Sequence, residues 1–212
     1  MSSCQHYGVS LTGSFCTRPE NIYIGGNEKW DKNIVRYLAE KFASTDVLEL
    51  GAGLGHYAKY IQNTTHGFAP VTSYRAFDGM PWAPEVTDGF VQHFDLLIPH
   101  AASQWITPAD WVLCLEVAEH ISMRHERKIL DHLFLRAKGG VVMSWAHNDQ
   151  AGFQHINLRS SNYVIKTVQE NFPFRLDLKM TMDMRTMAIL PWFRQNILVF
   201  RRVGGGVAVD AE

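Results

Sequence analysis

The stretch DVLELGAGLG at residues 46–55 decides the fold. Its first half is a short β-rich run, which predicts a core strand. Glycines then occupy every second position, and a helical stretch begins near His56. Glycine lets the backbone approach a ligand closely, and the start of a helix offers free N–H groups. The stretch therefore predicts a nucleotide-type binding turn between a strand and a helix.

Short β-rich runs alternate with helical stretches over most of the chain. The strands predicted after the first one are SYRAFD at 73–78, GFVQHFD at 89–95, DWVLCLE at 110–116 and GVVMSW at 140–145. The helices predicted between them cover residues 56–63, 125–137 and 160–172. This alternation predicts an α/β fold with a doubly wound, Rossmann-like sheet of about seven strands, most of them parallel.

The two ends of this pattern set the predicted domain. Trp30, Ile34, Leu38 and Phe42 recur at every fourth position, which predicts a helix over 27–42. At the other end, RLDLKMTMD at 175–183 and NILVFRR at 196–202 come without a long helix between them, so they predict a closing antiparallel pair. We expect an extension over 1–26, one domain over 27–203 and a flexible tail over 204–212.

Composition narrows the function classes. The formal net charge is −1, so charge does not indicate a nucleic acid partner, although it leaves one open. No apolar run reaches the roughly 20 residues of a membrane helix, and we expect no membrane partner. The cysteines Cys4, Cys16 and Cys114 are odd in number and lack CxxC spacing, which favours a reducing, cytoplasmic location.

Acidic residues at the ends of the predicted strands carry a family resemblance. The order of Glu49 with its glycine turn, Asp78 and Asp95 resembles class I S-adenosylmethionine-dependent methyltransferases. Closer still are small methyltransferase-like domains, which the segments DGMP at 78–81 and SWA at 144–146 resemble. The resemblance implies S-adenosylmethionine as cofactor, with the acidic residue of the first strand near its methionine part, Asp78 on the ribose and Asp95 with Leu96 on the adenine. The cofactor residues it implies are Glu49, Gly51, Gly53, Gly55, Asp78, Gly79, Asp95, Leu96 and Glu116.

A nicotinamide-dependent oxidoreductase is the competing interpretation of the glycine turn. Such enzymes use GxGxxG and an acidic residue roughly 20 positions later on the ribose. Here the third glycine comes one residue early, and Asp78 lies further along the chain. The spacing therefore favours the methyltransferase. A catalytically silent partner protein with the same fold is a third interpretation, but the cofactor motif is intact.

The fourth strand is followed by Glu116, Glu119 and His120, and the fifth by His155. Ligands of open α/β sheets bind at the carboxyl ends of the strands, so these side chains are expected on one side of the crevice. We predict Glu119, His120 and His155 as catalytic residues that serve an unidentified O- or N-acceptor. With Glu116 they also resemble the metal site of small-RNA 2′-O-methyltransferases. The alternative is that Glu119 and His120 only cap the next helix, and the sequence does not favour a metal.

Overall fold

The computed structural model describes residues 30–152 and 154–204. Its centre is a sheet of seven strands in the order β3-β2-β1-β4-β5-β7-β6. The strands are β1 (Asp46–Leu50), β2 (Ser73–Asp78), β3 (Gln92–His93), β4 (Ala109–Cys114), β5 (Ala137–Ser144), β6 (Phe174–Leu176) and β7 (Ile197–Arg202). The helices are α1 (Lys32–Lys41), α2 (His56–Gln62), α3 (Ala83–Val86), α4 (Glu126–Phe134), α5 (Ser161–Asn171), α6 (Leu178–Met187) and α7 (Phe193–Asn196).

The direction of the strands agrees with the predicted fold class. Strands β1 to β5 pair in parallel. Strand β7 lies between β5 and β6 and runs antiparallel to both. The doubly wound α/β sheet with an antiparallel last strand is therefore confirmed. No helix in the described part of the chain is long and apolar enough to cross a membrane.

The sheet is buried on both faces. Neighbouring residues of β5 point to opposite sides, so Val141 packs in the cluster that contains Phe134 and Phe200, and Val142 packs in the cluster that contains Leu38 and Trp111. Side chains alternate across a strand, so one strand can serve two cores only when helices cover both faces. This two-sided burial explains why β1, β4 and β5 lack a polar face.

The predicted closing antiparallel pair is present as β6 and β7, but the length predicted for its first strand, 175–183, is wrong. Only its first part lies in β6, and residues 178–187 form α6 instead. The Asp177 side chain accepts a hydrogen bond from the Met180 amide at 2.9 Å, which caps the helix. Met180 and Met184, four residues apart, are both buried. The alternation of polar and apolar letters in RLDLKMTMD thus also satisfies helical spacing, and the cap decides between the two.

Other predicted boundaries move by a few residues. The third strand is limited to Gln92–His93, which pair with the end of β2, and it lies at the sheet edge with one neighbour only. Helix α1 begins at Lys32 because Asp31 caps it, so Trp30 precedes the helix. The extension predicted over 1–26 and the tail beyond Gly204 lie outside the described residues, and the domain division stays a prediction.

Candidate active site at the carboxyl edge of the sheet

The glycine turn joins β1 to α2 in a left-handed backbone conformation. Gly51, Gly53 and Gly55 have φ angles of 85°, 53° and 75°. Residues other than glycine rarely adopt this region of backbone conformation, so the turn requires its glycines even without a ligand. The amides of Gly51 and Ala52 both donate to the carbonyl of Phe77, at 2.8 and 3.0 Å. The turn is therefore attached to the end of β2.

Packing adds a second requirement at two of these glycines. A Cβ on Gly51 would lie 2.2 Å from Cγ2 of Val117, and a Cβ on Gly55 would lie 2.9 Å from Cγ2 of Val91. Both distances are shorter than real Cβ contacts allow. The sequence interpretation assigned the glycines to close approach of a ligand. At Gly51 and Gly55, neighbouring protein side chains already leave no room for a Cβ, whether or not a ligand is bound.

Asp78 connects the second strand to the glycine turn. Its carboxylate accepts hydrogen bonds from the amide of Gly53 at 2.8 Å and from the amide of Met80 at 2.7 Å. Burial raises the pKa of Asp78, and these two amides act in the opposite direction. Asp78, the last residue of β2, and the following Gly79 are half-buried.

Glu49 lies near the carboxyl end of β1, at the same edge of the sheet. It is buried in β1, one residue before Leu50, and its Oε2 accepts a hydrogen bond from the hydroxyl of Tyr74 at 2.9 Å. Burial raises the pKa of Tyr74, and the negative charge of Glu49 adds to this effect. The phenol therefore stays protonated and holds the carboxylate in place.

The predicted adenine residues follow β3. Asp95 is half-buried, and its Oδ1 accepts a hydrogen bond from the Leu97 amide at 2.8 Å, which shapes the loop after the strand. The side chain of Leu96 is buried in the core. Because β3 pairs with β2 through Asp78 and His93, Asp95 comes just beyond the level of Asp78. The acidic residues of the first three strands thus lie at one edge of the sheet.

Glu116 follows β4 in a left-handed conformation, with a φ angle of 55°. A residue other than glycine in this region carries strain that the surrounding structure must offset. The Glu116 amide donates to Ser144 Oγ at 2.7 Å, and the Ser144 hydroxyl donates back to Oε1 at 2.7 Å. The carboxylate also accepts hydrogen bonds from Gln150 Nε2 at 3.0 Å and Asn196 Nδ2 at 2.8 Å. Three separate segments of the chain therefore meet at Glu116.

Glu119, His120 and His155 form one group. One ligand atom from each side chain lies within 4.8 Å of those of the other two. The structure thus brings together three of the four predicted metal ligands. Glu116 is not part of this group, although its charge acts on Glu119, and its carboxylate contacts Ser144, Gln150 and Asn196.

The Glu119 carboxyl group is fully buried. Neither of its oxygens has a hydrogen-bond partner among the described residues. Burial raises the pKa of Glu119 well above its usual range, and the charge of Glu116 raises it further, while the nearby amides of Glu119 and Ala146 oppose the rise. A buried carboxyl group without a donor is costly unless it is protonated or meets a cation. A bound cation would satisfy this carboxyl group in place of a proton.

Both histidines turn Nδ1 toward a backbone carbonyl. His120 Nδ1 lies 3.2 Å from the carbonyl oxygen of Gln154, and His155 Nδ1 lies 3.0 Å from that of Gln150. A carbonyl only accepts, so both rings are Nδ1–H tautomers with the lone pair on Nε2. Burial and the neighbouring His155 together lower the pKa of His120 to about 4, while the hydrogen bond to the Gln154 carbonyl acts in the opposite direction. The His120 ring is thus neutral near pH 7, as a base or a metal ligand must be.

Sequence reasoning did not assign a role to the side chains that support this group. Ser144, Gln150 and Asn196 surround Glu116, and Gly152 packs under the ring of His155. Glu116 and Asn196 are 80 positions apart, so no local pattern connects them. The SWA segment at 144–146 was the only available signal, since it begins with the serine that binds Glu116.

The fold and this edge together define a methyltransferase of the S-adenosylmethionine-dependent class I type. A family model described as "Methyltransferase domain" matches residues 24–171, and the chain belongs to that family. No curated protein sequence matches the chain.

Solved structures with a similar fold include three methyltransferases. Magnesium protoporphyrin IX methyltransferase from Synechocystis, with bound SAH, is 15% identical with a TM-score of 0.58, over 85% of this chain and 92% of that one. The small RNA methyltransferase HEN1 is 12% identical with a TM-score of 0.59, and the match covers 86% of this chain and 27% of HEN1. The N-methyltransferase NodS from Bradyrhizobium japonicum, in complex with SAH, is 15% identical with a TM-score of 0.52, over 80% and 83%. The predicted S-adenosylmethionine cofactor agrees with the SAH bound in the first and the third of these structures.

Proposed function

We propose that this chain transfers a methyl group from S-adenosylmethionine to an oxygen or nitrogen acceptor. The observation that carries the proposal is the placement of two groups at one sheet edge. The glycine turn with Glu49, Asp78 and Asp95 follows β1 to β3, and Glu119, His120 and His155 follow β4 and β5. Ligands of open α/β sheets bind at this edge, so a cofactor and an acceptor would meet there.

The residues at the first three strands fit the cofactor. The amide-lined turn at Gly53 and the carboxylate of Asp78 are already joined by a hydrogen bond, which places a polar acceptor beside a glycine backbone. Asp78 and Gly79 would hold the ribose, Asp95 and the Leu96 amide the adenine, and Glu49, Gly51, Gly55 and Glu116 the methionine side. Bound S-adenosylmethionine supplies an electrophilic methyl group on a sulfonium. The protein's task is then alignment and exclusion of water.

Glu119, His120 and His155 fit a divalent metal. A carboxylate oxygen and two imidazole nitrogens favour Mn, Fe or Co, and backbone carbonyls orient both rings as is usual for ligating histidines. A bound divalent cation would lower the pKa of an acceptor hydroxyl. This observation favours a hydroxyl acceptor over an amine, because an alcohol gains more from a lowered pKa. Without a metal, Nε2 of His120 or of His155 would serve as general base.

The acceptor itself is open to a small metabolite, a carbohydrate or an RNA terminus. The net charge of −1 gives no overall attraction to RNA, and no motif in the sequence ranks the three acceptors. Two other functions are weaker. The family match argues against a nicotinamide oxidoreductase. A silent partner protein is disfavoured because Glu49, Gly51, Gly53, Asp78 and Asp95 are all in place.

Calorimetry with S-adenosylmethionine is the first test, and we expect binding of S-adenosylmethionine and no binding of NAD. The second test incubates the protein with labelled methyl donor and separate pools of metabolites, carbohydrates and RNA, with Mn²⁺ or with EDTA. Label transfer that EDTA stops, while cofactor affinity stays the same, supports the metal-assisted reaction. Transfer that EDTA leaves unchanged supports the general-base route. No cofactor binding and no transfer would support the silent partner.

A further inference from the structure

The loop between β5 and α5 carries His155, and one side chain in it has no assigned role. The amide group of Gln150 is held at both ends. Its Nε2 donates to Glu116 Oε2 at 3.0 Å, and its Oε1 accepts from Asn196 Nδ2 at 3.0 Å. A carboxylate only accepts and the Asn196 Nδ2 only donates, so the Gln150 amide has one allowed orientation. Gln150 is thus fixed between β4 and α7.

The main chain of the same residue holds His155. The backbone carbonyl of Gln150 accepts a hydrogen bond from Nδ1–H of His155 at 3.0 Å. The backbone N–H of Gln150 donates to the carbonyl of His147 at 2.9 Å. Gly152 lies directly under the imidazole, since a Cβ there would come within 2.2 Å of the ring. His155 is half-buried, and its ring also packs edge-on against that of His120, with 5.0 Å between the ring centroids, so these few contacts determine its orientation.

We propose that Gln150 is a positioning residue that presents Nε2 of His155 to Glu119 and His120. The proposal rests on the proposed function of that group. The strained backbone of Glu116 places its carboxylate where Ser144, Asn196 and Gln150 all reach it. Glu116 therefore acts on His155 through Gln150, and the segment after β4 and the loop after β5 are held in register. Gln150 need not touch the cofactor, the acceptor or a metal.

The test replaces Gln150 with leucine, which has a similar size and no hydrogen-bonding groups. Long-range ¹H–¹⁵N spectra of the full chain report the tautomer of each histidine, and a His155→Gln variant identifies the signal of His155. We expect the Nδ1–H pattern of His155 in the wild type and a mixture dominated by Nε2–H in Gln150→Leu. The matched control is Gln154→Leu, because Gln154 is exposed in the same loop and its carbonyl remains to bind His120.

Metal affinity is the second readout, with Co²⁺ alone as the probe. Loss of a residue that orients a ligating histidine costs about 10- to 100-fold in metal affinity, so we expect that loss in Gln150→Leu and none in Gln154→Leu. The affinity for S-adenosylmethionine should stay within about twofold in both variants. An unchanged His155 tautomer in folded Gln150→Leu would overturn the proposal.

A paired exchange guards against simple misfolding. In the double variant Glu116→Gln, Gln150→Glu the amide at 116 donates to the carboxylate at 150, so the network regains a complete set of donors and acceptors. Restored Nδ1–H tautomer of His155 supports positioning by this pair, and failure to restore it in a folded double variant contradicts it. If wild-type protein binds no Co²⁺, the metal part of the proposed function fails, while the tautomer still decides the role of Gln150.

Discussion

Asp78 and Gly53 are joined by a hydrogen bond of 2.8 Å from the Gly53 amide to Oδ2 of the carboxylate. The other oxygen of Asp78 binds the Met80 amide at 2.7 Å. The residue proposed to hold the ribose therefore also holds the glycine turn. If Asp78 holds the ribose as proposed, one carboxylate both recognises the cofactor and shapes the turn after the first strand.

Replacing Asp78 with alanine should weaken S-adenosylmethionine binding by about 1 to 3 kcal/mol, because a charged acceptor is lost from the ribose and the turn loses its support. Asp78→Asn keeps one acceptor oxygen, so its affinity for S-adenosylmethionine should lie between those of the wild type and Asp78→Ala. Calorimetry measures both affinities. Asp149→Ala is the control, since Asp149 is exposed in the loop after β5. Equal affinities in wild type and Asp78→Ala would refute the ribose assignment.

Gly51→Ala and Gly67→Ala form a matched pair. The two glycines have φ angles of 85° and 84°, but a Cβ on Gly51 meets Val117 at 2.2 Å, and a Cβ on Gly67 meets nothing within 4 Å. Gly67→Ala should lower the free energy of unfolding by about 1 kcal/mol through its backbone alone. Gly51→Ala should cost about 1 to 3 kcal/mol more, because overpacking is added.

Urea unfolding measures the difference between these two variants. The double variant Gly51→Ala, Val117→Ala should recover part of the excess, since it removes the methyl groups in the way. If Gly51→Ala is no less stable than Gly67→Ala, Val117 does not constrain the turn.

Gly152→Ala should displace the ring of His155, because the added methyl group would lie 2.2 Å from it. We expect Co²⁺ affinity to fall about 10- to 100-fold, as for other disturbances of a ligating histidine. The free energy of unfolding should change by less than about 1 kcal/mol, since the half-buried ring can turn toward solvent. Gly204→Ala is the control, because nothing lies within 4 Å of its Cβ position. Undiminished Co²⁺ binding in Gly152→Ala would exclude His155 as a ligand.

The stability of the fold should depend on pH through His132. Burial lowers the pKa of His132 from 6.5 to about 4, and the guanidinium of Arg136 and the ring of His100 contribute, while the Ile98 carbonyl and Asp131 oppose. His132 Nε2 lies 2.7 Å from the Ile98 carbonyl, and Nδ1 faces Arg136 Nη2 at 3.4 Å. The neutral ring can donate to the carbonyl and accept from arginine. A protonated ring would present a second N–H to a cation.

Because the folded pKa is below the unfolded one, the unfolded chain takes up the proton first as the pH falls. The stabilising contribution is complete above about pH 6.5 and decreases toward pH 4. From these pKa values, His132 should account for a loss of about 2 kcal/mol between pH 7 and pH 5. Urea unfolding at both pH values should show that His132→Gln loses correspondingly less. His93 is exposed, so the free energy of unfolding of His93→Gln should fall with pH as much as that of the wild type. An equal fall in His132→Gln and in the wild type would contradict the prediction.

The sequence alone determined the parallel sheet, the glycine turn and the acidic strand ends. These features depend on neighbours a few residues apart: β1 leads directly into Gly51, and Asp78 closes β2. Hydrophobic runs, left-handed turns and the edge where parallel strands end are local consequences of the chain, so reading along it was sufficient.

The tertiary structure decided what lies between these features. Residues 178–187 became a helix because of a cap at Asp177 and burial of two methionines, although the same letters suit a strand. The Glu116 carboxylate is hydrogen-bonded to Gln150 and Asn196, which lie 34 and 80 positions away, and it is not one of the three residues grouped at Glu119. Such contacts depend on which surfaces meet once the sheet and its helices have packed. Hydrogen-bond partners brought together by packing leave no periodic signal in the sequence.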